Sequence, residues 1–172
     1  MGLSIAYAAS LVSAYPIVGI DIHQEKLDLA KKFGVTHTLM SNSKTIDNDL
    51  KDIFENKGPE VLFETTGNSK VMERAYELTP QDGKTVFVGV PNEKISIYTL
   101  PLAFNKSLLV SQGGQSIPDL DIPRYVRLTK NKKINFDKFI THEFELAEIN
   151  KALDLFRSGK AGRIILKINK EN

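Results

Sequence analysis

The feature that most restricts this chain is a series of short apolar runs that do not alternate with polar residues. They fall at residues 17–20, closed by Asp21, at 60–66, at 84–90, ending before Pro91, and at 107–112, closed by Gly113 and Gly114. A strand with one solvated face alternates in polarity, whereas a continuous apolar run of this length fits a parallel strand covered on both faces. Helical patterns separate the runs. Residues 24–33 place Leu27, Leu29, Ala30 and Phe33 on one face and stop at Gly34, while 43–55 bring Leu50, Ile53 and Phe54 inward; 71–78 give another helix. A further short strand is expected at 35–40. Strands alternating with helices at this spacing imply an α/β fold with a mostly parallel sheet.

Residues 1–20 carry no charge and are rich in Ala, Leu, Ile and Val. A membrane span or a signal peptide has to be considered for such a segment. No Lys or Arg precedes the apolar stretch, and Pro16 divides it into two differently patterned halves. A helix of small residues over 2–14, followed by a buried strand, accounts for that division, so no membrane association and a cytoplasmic location are expected. Beyond residue 120 the rhythm changes. A helix is expected at 121–130, opened by Asp121-Ile-Pro, then an extended stretch at 139–145, a helix at 146–158 and a final strand at 164–168.

Composition removes several function classes. Lys and Arg total 23 against 21 Asp and Glu, and the basic residues are dispersed, which gives nucleic acid no basic face to bind. The absence of cysteine excludes disulfides and every Cys-ligated zinc site in this chain. His23, His37 and His142 lie far apart and show no ligand spacing.

The pair that carries chemistry is Gly2 and Asp21. In a dinucleotide-binding βαβ unit a glycine turn opens a helix whose N-terminus holds a pyrophosphate. About 20 residues later an acidic side chain ends the second strand and binds the ribose 2′-hydroxyl. Gly2 opens the first helical pattern here, and Asp21 follows directly after an apolar run. A carboxylate at that point repels a 2′-phosphate, which favours NAD over NADP. Taken alone, the pair is matched by a bland alternative, an Asp that caps the next helix.

Several segments, in order, resemble the zinc-type medium-chain alcohol dehydrogenases. Gly2-Leu-Ser-Ile is similar to the end of that family's glycine turn, and Ile17-Val-Gly-Ile-Asp-Ile with Lys26 is similar to its second strand. Phe33-Gly-Val-Thr, Phe63-Glu-Thr-Thr-Gly67, Val86-Phe-Val-Gly-Val-Pro91 and Gly113-Gly114 follow. Ile140-Thr-His, Glu148-Ile-Asn-Lys-Ala and Ser158-Gly-Lys-Ala-Gly-Arg163 complete the likeness over nearly the whole chain.

The resemblance implies a Rossmann-like, doubly wound, mostly parallel sheet whose first strand is missing from the chain. A cofactor domain at 1–115 would be followed by a segment, 116–172, that packs back on the substrate domain. It implies NAD as cofactor, with Gly2 under the pyrophosphate and Asp21 and Lys26 at the adenosine ribose. Thr65 and Thr66 would line the cleft, Gly89, Val90, Gln112 and Gly113 would flank the nicotinamide, and Arg163 would reach the pyrophosphate. For Lys26 and Arg163 the bland alternatives are an exposed helix cation and a surface charge ahead of a strand.

The expected activity is hydride transfer between an alcohol and nicotinamide, with zinc held only in a substrate half that this chain lacks. The chain alone is expected to be inactive, a fragment, and to form a homo-oligomer through the edge strand 107–112. A non-catalytic nucleotide-binding or subunit-association module is the alternative, and a methyltransferase a third reading. In the family's 3-2-1-4-5-6 order the first strand is central, so without it two strands would each lose a neighbour.

Overall fold

The computed structural model describes residues 1–168. Among them are six α-helices and seven strands, and every strand pairing is parallel. Helix α1 (Gly2–Leu11) leads to β1 (Val18–Asp21), α2 (Gln24–Lys31), β2 (His37–Met40) and α3 (Ile46–Ile53). Then come β3 (Val61–Glu64), α4 (Ser69–Leu78), β4 (Lys84–Phe87) and β5 (Ser107–Val110). The chain closes with α5 (Pro118–Lys130), β6 (Ile140–Glu145), α6 (Ile149–Arg157) and β7 (Arg163–Lys167). The expected α/β alternation is therefore present, with β3, β4 and β5 each four residues long and shorter than their runs.

Three separate sheets result: β1-β2, β3-β4-β5 and β6-β7. Among the described residues no strand pairs with the second edge of β1 or of β3. Ile20 in β1, Ile22 just after it, and Val61 and Phe63 in β3 are exposed. The β6-β7 pairing joins two stretches expected only as separate extended segments, with a bulge between Ile140 and His142.

Contacts divide the chain into two units, Met1–Ile5 with Lys44–Ile117, and Ala6–Ser43 with Pro118 onward. In the first, α4 covers β3 and β4 through Met72 and Tyr76, which pack with Phe87; Ile95, Ile97 and Leu108 close the cluster. The buried hydroxyls of Thr79 and Thr85 bond each other at 2.8 Å, and Thr79 also donates to the carbonyl of Ala75 at 2.9 Å. Helix α4 starts two residues before its expected limit because the Asn68 side chain accepts from Lys70 N and Val71 N.

Its other end depends on Lys106. The carbonyl of Tyr76 would ordinarily accept from residue 80, but Pro80 has no N–H. The Lys106 ammonium, only 7% exposed, donates instead to the carbonyls of Tyr76, at 2.5 Å, and Thr79, at 2.7 Å. It also lies 4.0 Å from the centre of the Tyr76 ring. Burial pushes the Lys106 pKa below the ordinary lysine value, against the opposing pull of the Glu77 carboxylate.

The second unit is built around Phe33, 1% exposed, whose ring meets Tyr7 edge-on at 5.8 Å and Phe139 at 4.5 Å. Leu27 and Ala30 of α2, with Val35, complete the buried apolar set beside it. Helix α1 approaches the turn after α2 closely: Gly34, at φ +90°, lies against Ser10, and a Cβ on it would collide with that side chain. Helix α1 ends at Leu11 rather than at residue 14, as Ser13 takes φ +61°. Helix α5 begins at Pro118 rather than at residue 121, since a proline is tolerated in the first helical turn. Asp121 lies inside it, paired with Arg124 at 3.0 Å.

Candidate functional site

Parallel strands leave their carboxyl ends on one edge of a sheet, and in open α/β sheets ligands bind beyond that edge. The expected cofactor residues occupy that edge in the first unit. Thr65 and Thr66 follow β3, Gly89 and Val90 follow β4, and Gln112 and Gly113 follow β5. The registers align the three strand ends, with Glu64 opposite Phe87 and Phe87 opposite Val110. Gly2, at the start of α1, joins the first of these turns: a Cβ on it would lie 3.9 Å from the Thr65 hydroxyl oxygen. No acidic residue occupies the first turn of α1, so nothing there opposes an anion.

One buried carboxylate fastens two of the turns. Glu64, the last residue of β3, is 2% exposed. Its Oε1 accepts from the backbone N–H and the hydroxyl of Thr66, both at 2.5 Å, and from Gly67 N at 3.2 Å; Oε2 accepts from Gly67 N at 3.3 Å. The Glu64 main-chain carbonyl takes Val88 N at 2.8 Å and Gly89 N at 3.1 Å. Gly89 and Gly67 then touch backbone to backbone. A Cβ on Gly89 would collide with Gly67 N and stand 2.7 Å from Glu64 Oε2, and one on Gly67 would stand 2.5 Å from the Val90 carbonyl oxygen. The turn after β3 and the turn after β4 are thus one joint, with Val90, 82% exposed, at its surface. Gln112 and Gly113 are exposed, and the space around Gly113 is open.

The remaining expected contacts lie in the second unit. Asp21 ends β1, half-buried, and its Oδ1 accepts from His23 N at 2.9 Å. That bond closes a turn two residues long; helix α2, which starts at Gln24, has no side-chain cap. The helix-cap alternative for Asp21 is therefore not realised. Lys26 sits in the first turn of α2. Arg163 is the exposed first residue of β7, at the end of the 158–162 turn. That turn packs on the β1–α2 connection: a Cβ on Gly159 would lie 3.0 Å from His23 Nε2, and one on Gly162 would lie 3.4 Å from the Leu29 side chain. Asp21, Lys26 and Arg163 are thereby carried by neighbouring segments of one unit.

Sequence reasoning missed Glu64, His23 and Lys106. A charged residue closing the otherwise apolar Val-Leu-Phe run was the available sign for Glu64. Nothing local marks Lys106, which resembles any loop lysine until α4 is placed over it.

Within each unit the residues are of kinds that suit a dinucleotide: in the first, a glycine opening a helix with no acidic residue in its first turn, and in the second, an acidic residue ending a strand. Zinc does not fit the described residues, among which no group of three or more His, Asp or Glu side chains is placed to hold a metal ion. No helix among them is long and apolar enough to cross a membrane.

Comparison with known proteins agrees with this geometry. Residues 1–131 match the family profile described as zinc-binding dehydrogenase. The chain is 34% identical over 176 residues to alcohol dehydrogenase-like 5 of Arabidopsis thaliana, and 33% identical over 174 residues to an alcohol dehydrogenase of Malus domestica. These alignments take in 99% and 98% of this chain but 45% of each relative, so the chain spans about half the length of the curated relatives it matches. Among solved structures, benzyl alcohol dehydrogenase from Acinetobacter calcoaceticus superposes with a TM-score of 0.88 at 29% identity, covering 98% of this chain and 47% of that one. An alcohol dehydrogenase from Escherichia coli CFT073, solved with its cofactor NADH, shares the fold at a TM-score of 0.82 and 17% identity, with 96% and 49% coverage. The methyltransferase reading falls away with these matches. A split parallel sheet, a glycine-opened first helix and a match over three quarters of its residues together make this chain a member of the zinc-binding dehydrogenase family.

Proposed function

We propose that this chain is the NAD-binding part of an alcohol dehydrogenase, serving hydride transfer between an alcohol and nicotinamide. The observation that carries the reading is the shared edge of β3, β4 and β5, where Thr65, Thr66, Gly89, Val90, Gln112 and Gly113 all stand one to three residues past a strand end. Asp21 closes β1 in the manner that suits a ribose 2′-hydroxyl, which favours NAD over NADP. The NADH carried by the E. coli structure of the same fold supports a dinucleotide in this role.

In this reading Gly2 and Arg163 hold the diphosphate, Asp21 and Lys26 the adenosine ribose, and the three turns of the first unit the nicotinamide end. Residues 1–115 form the cofactor domain, and 116–172 the segment facing a substrate half. Zinc, when bound in that other half, polarises the alcohol oxygen. The residues of this chain bind and orient the dinucleotide and take no proton. Alone, the chain binds cofactor without turning over alcohol. The outer edge of β5, where Leu109 and Val110 are exposed, is the surface through which two copies pair, and the protein works in the cytoplasm. A panel of NADH, NADPH and S-adenosylmethionine, titrated into the purified chain by calorimetry, tests this reading. NADH should bind at least roughly tenfold more tightly than NADPH. Equal affinity for the two, or binding of S-adenosylmethionine alone, would overturn it.

A further inference from the structure

Glu64 holds a negative charge inside the protein with no cation beside it. None of the ion pairs among the described residues includes it, and its side chain is satisfied wholly by Thr66 N, the Thr66 hydroxyl and Gly67 N. N–H donors reach both oxygens, so the carboxyl group is held by backbone dipoles rather than by a counter-charge. Dipoles of this kind stabilise the ion locally, but unlike a lysine or arginine they do not cancel its field at a distance.

That field has a definite direction. Glu64 Oε2 sits against Gly89, 2.7 Å from where a Cβ of that residue would be. Gly89 and Val90 are two of the residues assigned above to the nicotinamide end of the cofactor. We propose that Glu64 sets the preference of the site between the two redox forms of the cofactor. Its carboxylate attracts the positively charged ring of NAD⁺ and does nothing comparable for the uncharged ring of NADH. The inference rests on the reading that this edge holds a nicotinamide dinucleotide.

Neutralising one carboxylate beside the ring should change the affinity ratio by roughly three- to tenfold, or about 0.7–1.4 kcal/mol. The test is the pair of dissociation constants for NAD⁺ and NADH, measured by calorimetry on the full chain and on Glu64→Gln. The variant should weaken NAD⁺ relative to NADH by that factor while its circular dichroism matches wild type. A purely structural role for Glu64 would weaken both forms together and leave the ratio unchanged, and that result overturns the proposal. Glu64→Asp keeps the charge at a shorter reach and should hold the ratio within about twofold. Should the Gln variant fail to fold at about 25 °C, it is measured beside wild type in the cold with a stabilising osmolyte: a ratio lowered roughly three- to tenfold supports the proposal, and an unchanged ratio overturns it. If wild type binds neither form, the cofactor reading itself fails and this inference falls with it.

Discussion

Replacing Lys106 by Met keeps the aliphatic stem and removes the ammonium that closes α4. Two carbonyls, those of Tyr76 and Thr79, then lose their donors, and Pro80 has no N–H to offer Tyr76 in compensation. A buried acceptor left unpaired costs about 1–3 kcal/mol, so the pair sets a ceiling near 6 kcal/mol. The lost cation–π contact adds about 1 kcal/mol. Against this stands the relief of no longer desolvating a charge, a penalty visible in the lowered proton affinity of Lys106. The balance favours a net loss of roughly 2–3 kcal/mol. For a chain of this length that corresponds to a fall in midpoint temperature of about 4–12 °C. Urea denaturation followed by circular dichroism and by tyrosine fluorescence measures it, with Lys94→Met, an exposed lysine, as a control that should leave the midpoint unchanged. A Lys106→Met midpoint indistinguishable from wild type would refute the idea that the ammonium completes the helix.

Three further outcomes follow from the same structure. Gly89→Ala drives a methyl group into Gly67 and Glu64, so it should cost about 1–3 kcal/mol and weaken nicotinamide dinucleotide binding, read by denaturation and calorimetry on one sample. Phe33→Ala removes the ring that Tyr7 and Phe139 enclose and should cost about 3–5 kcal/mol, enough to leave much of the chain unfolded at 37 °C in a thermal melt. The Glu73 carboxyl lies below its ordinary value of 4.5 because Lys70, and then Ser96 N, bond its charged form. A depressed carboxylate contributes stability that is present above its unfolded pKa and lost as pH falls through the folded one. Glu73→Gln should therefore lower stability most at neutral pH, where the wild-type carboxylate is charged, and converge on wild type as pH falls below about 4.5, as followed by denaturation midpoint against pH.

How much of this was legible beforehand depends on the range over which each feature is written. Asp21 was legible because an acidic residue closing an apolar run is a local pattern, and β1 ends on it. The turns after β3, β4 and β5 were legible as short motifs. Their union was not, because it rests on Glu64 reaching Gly89 across a β-α-β crossover, which no spacing records. The β6-β7 sheet joins residues more than twenty positions apart, and its bulge gives neither strand a clean period. Lys106 was invisible for the same reason: its partners are backbone carbonyls near the end of α4, and a carbonyl leaves no trace in the side-chain alphabet. Helix α5 misled in a different way. Asp121 looked like a cap ahead of Pro123, yet the helix runs through that proline from an earlier start at Pro118.

The measurement that bears most directly on the central claim is a calorimetric titration of NADH into this purified chain beside an Asp21→Ala variant. Saturable one-to-one binding, weakened roughly tenfold or more by the substitution, is the predicted result. A folded chain that binds no NADH, or one whose affinity is indifferent to Asp21, would contradict the account.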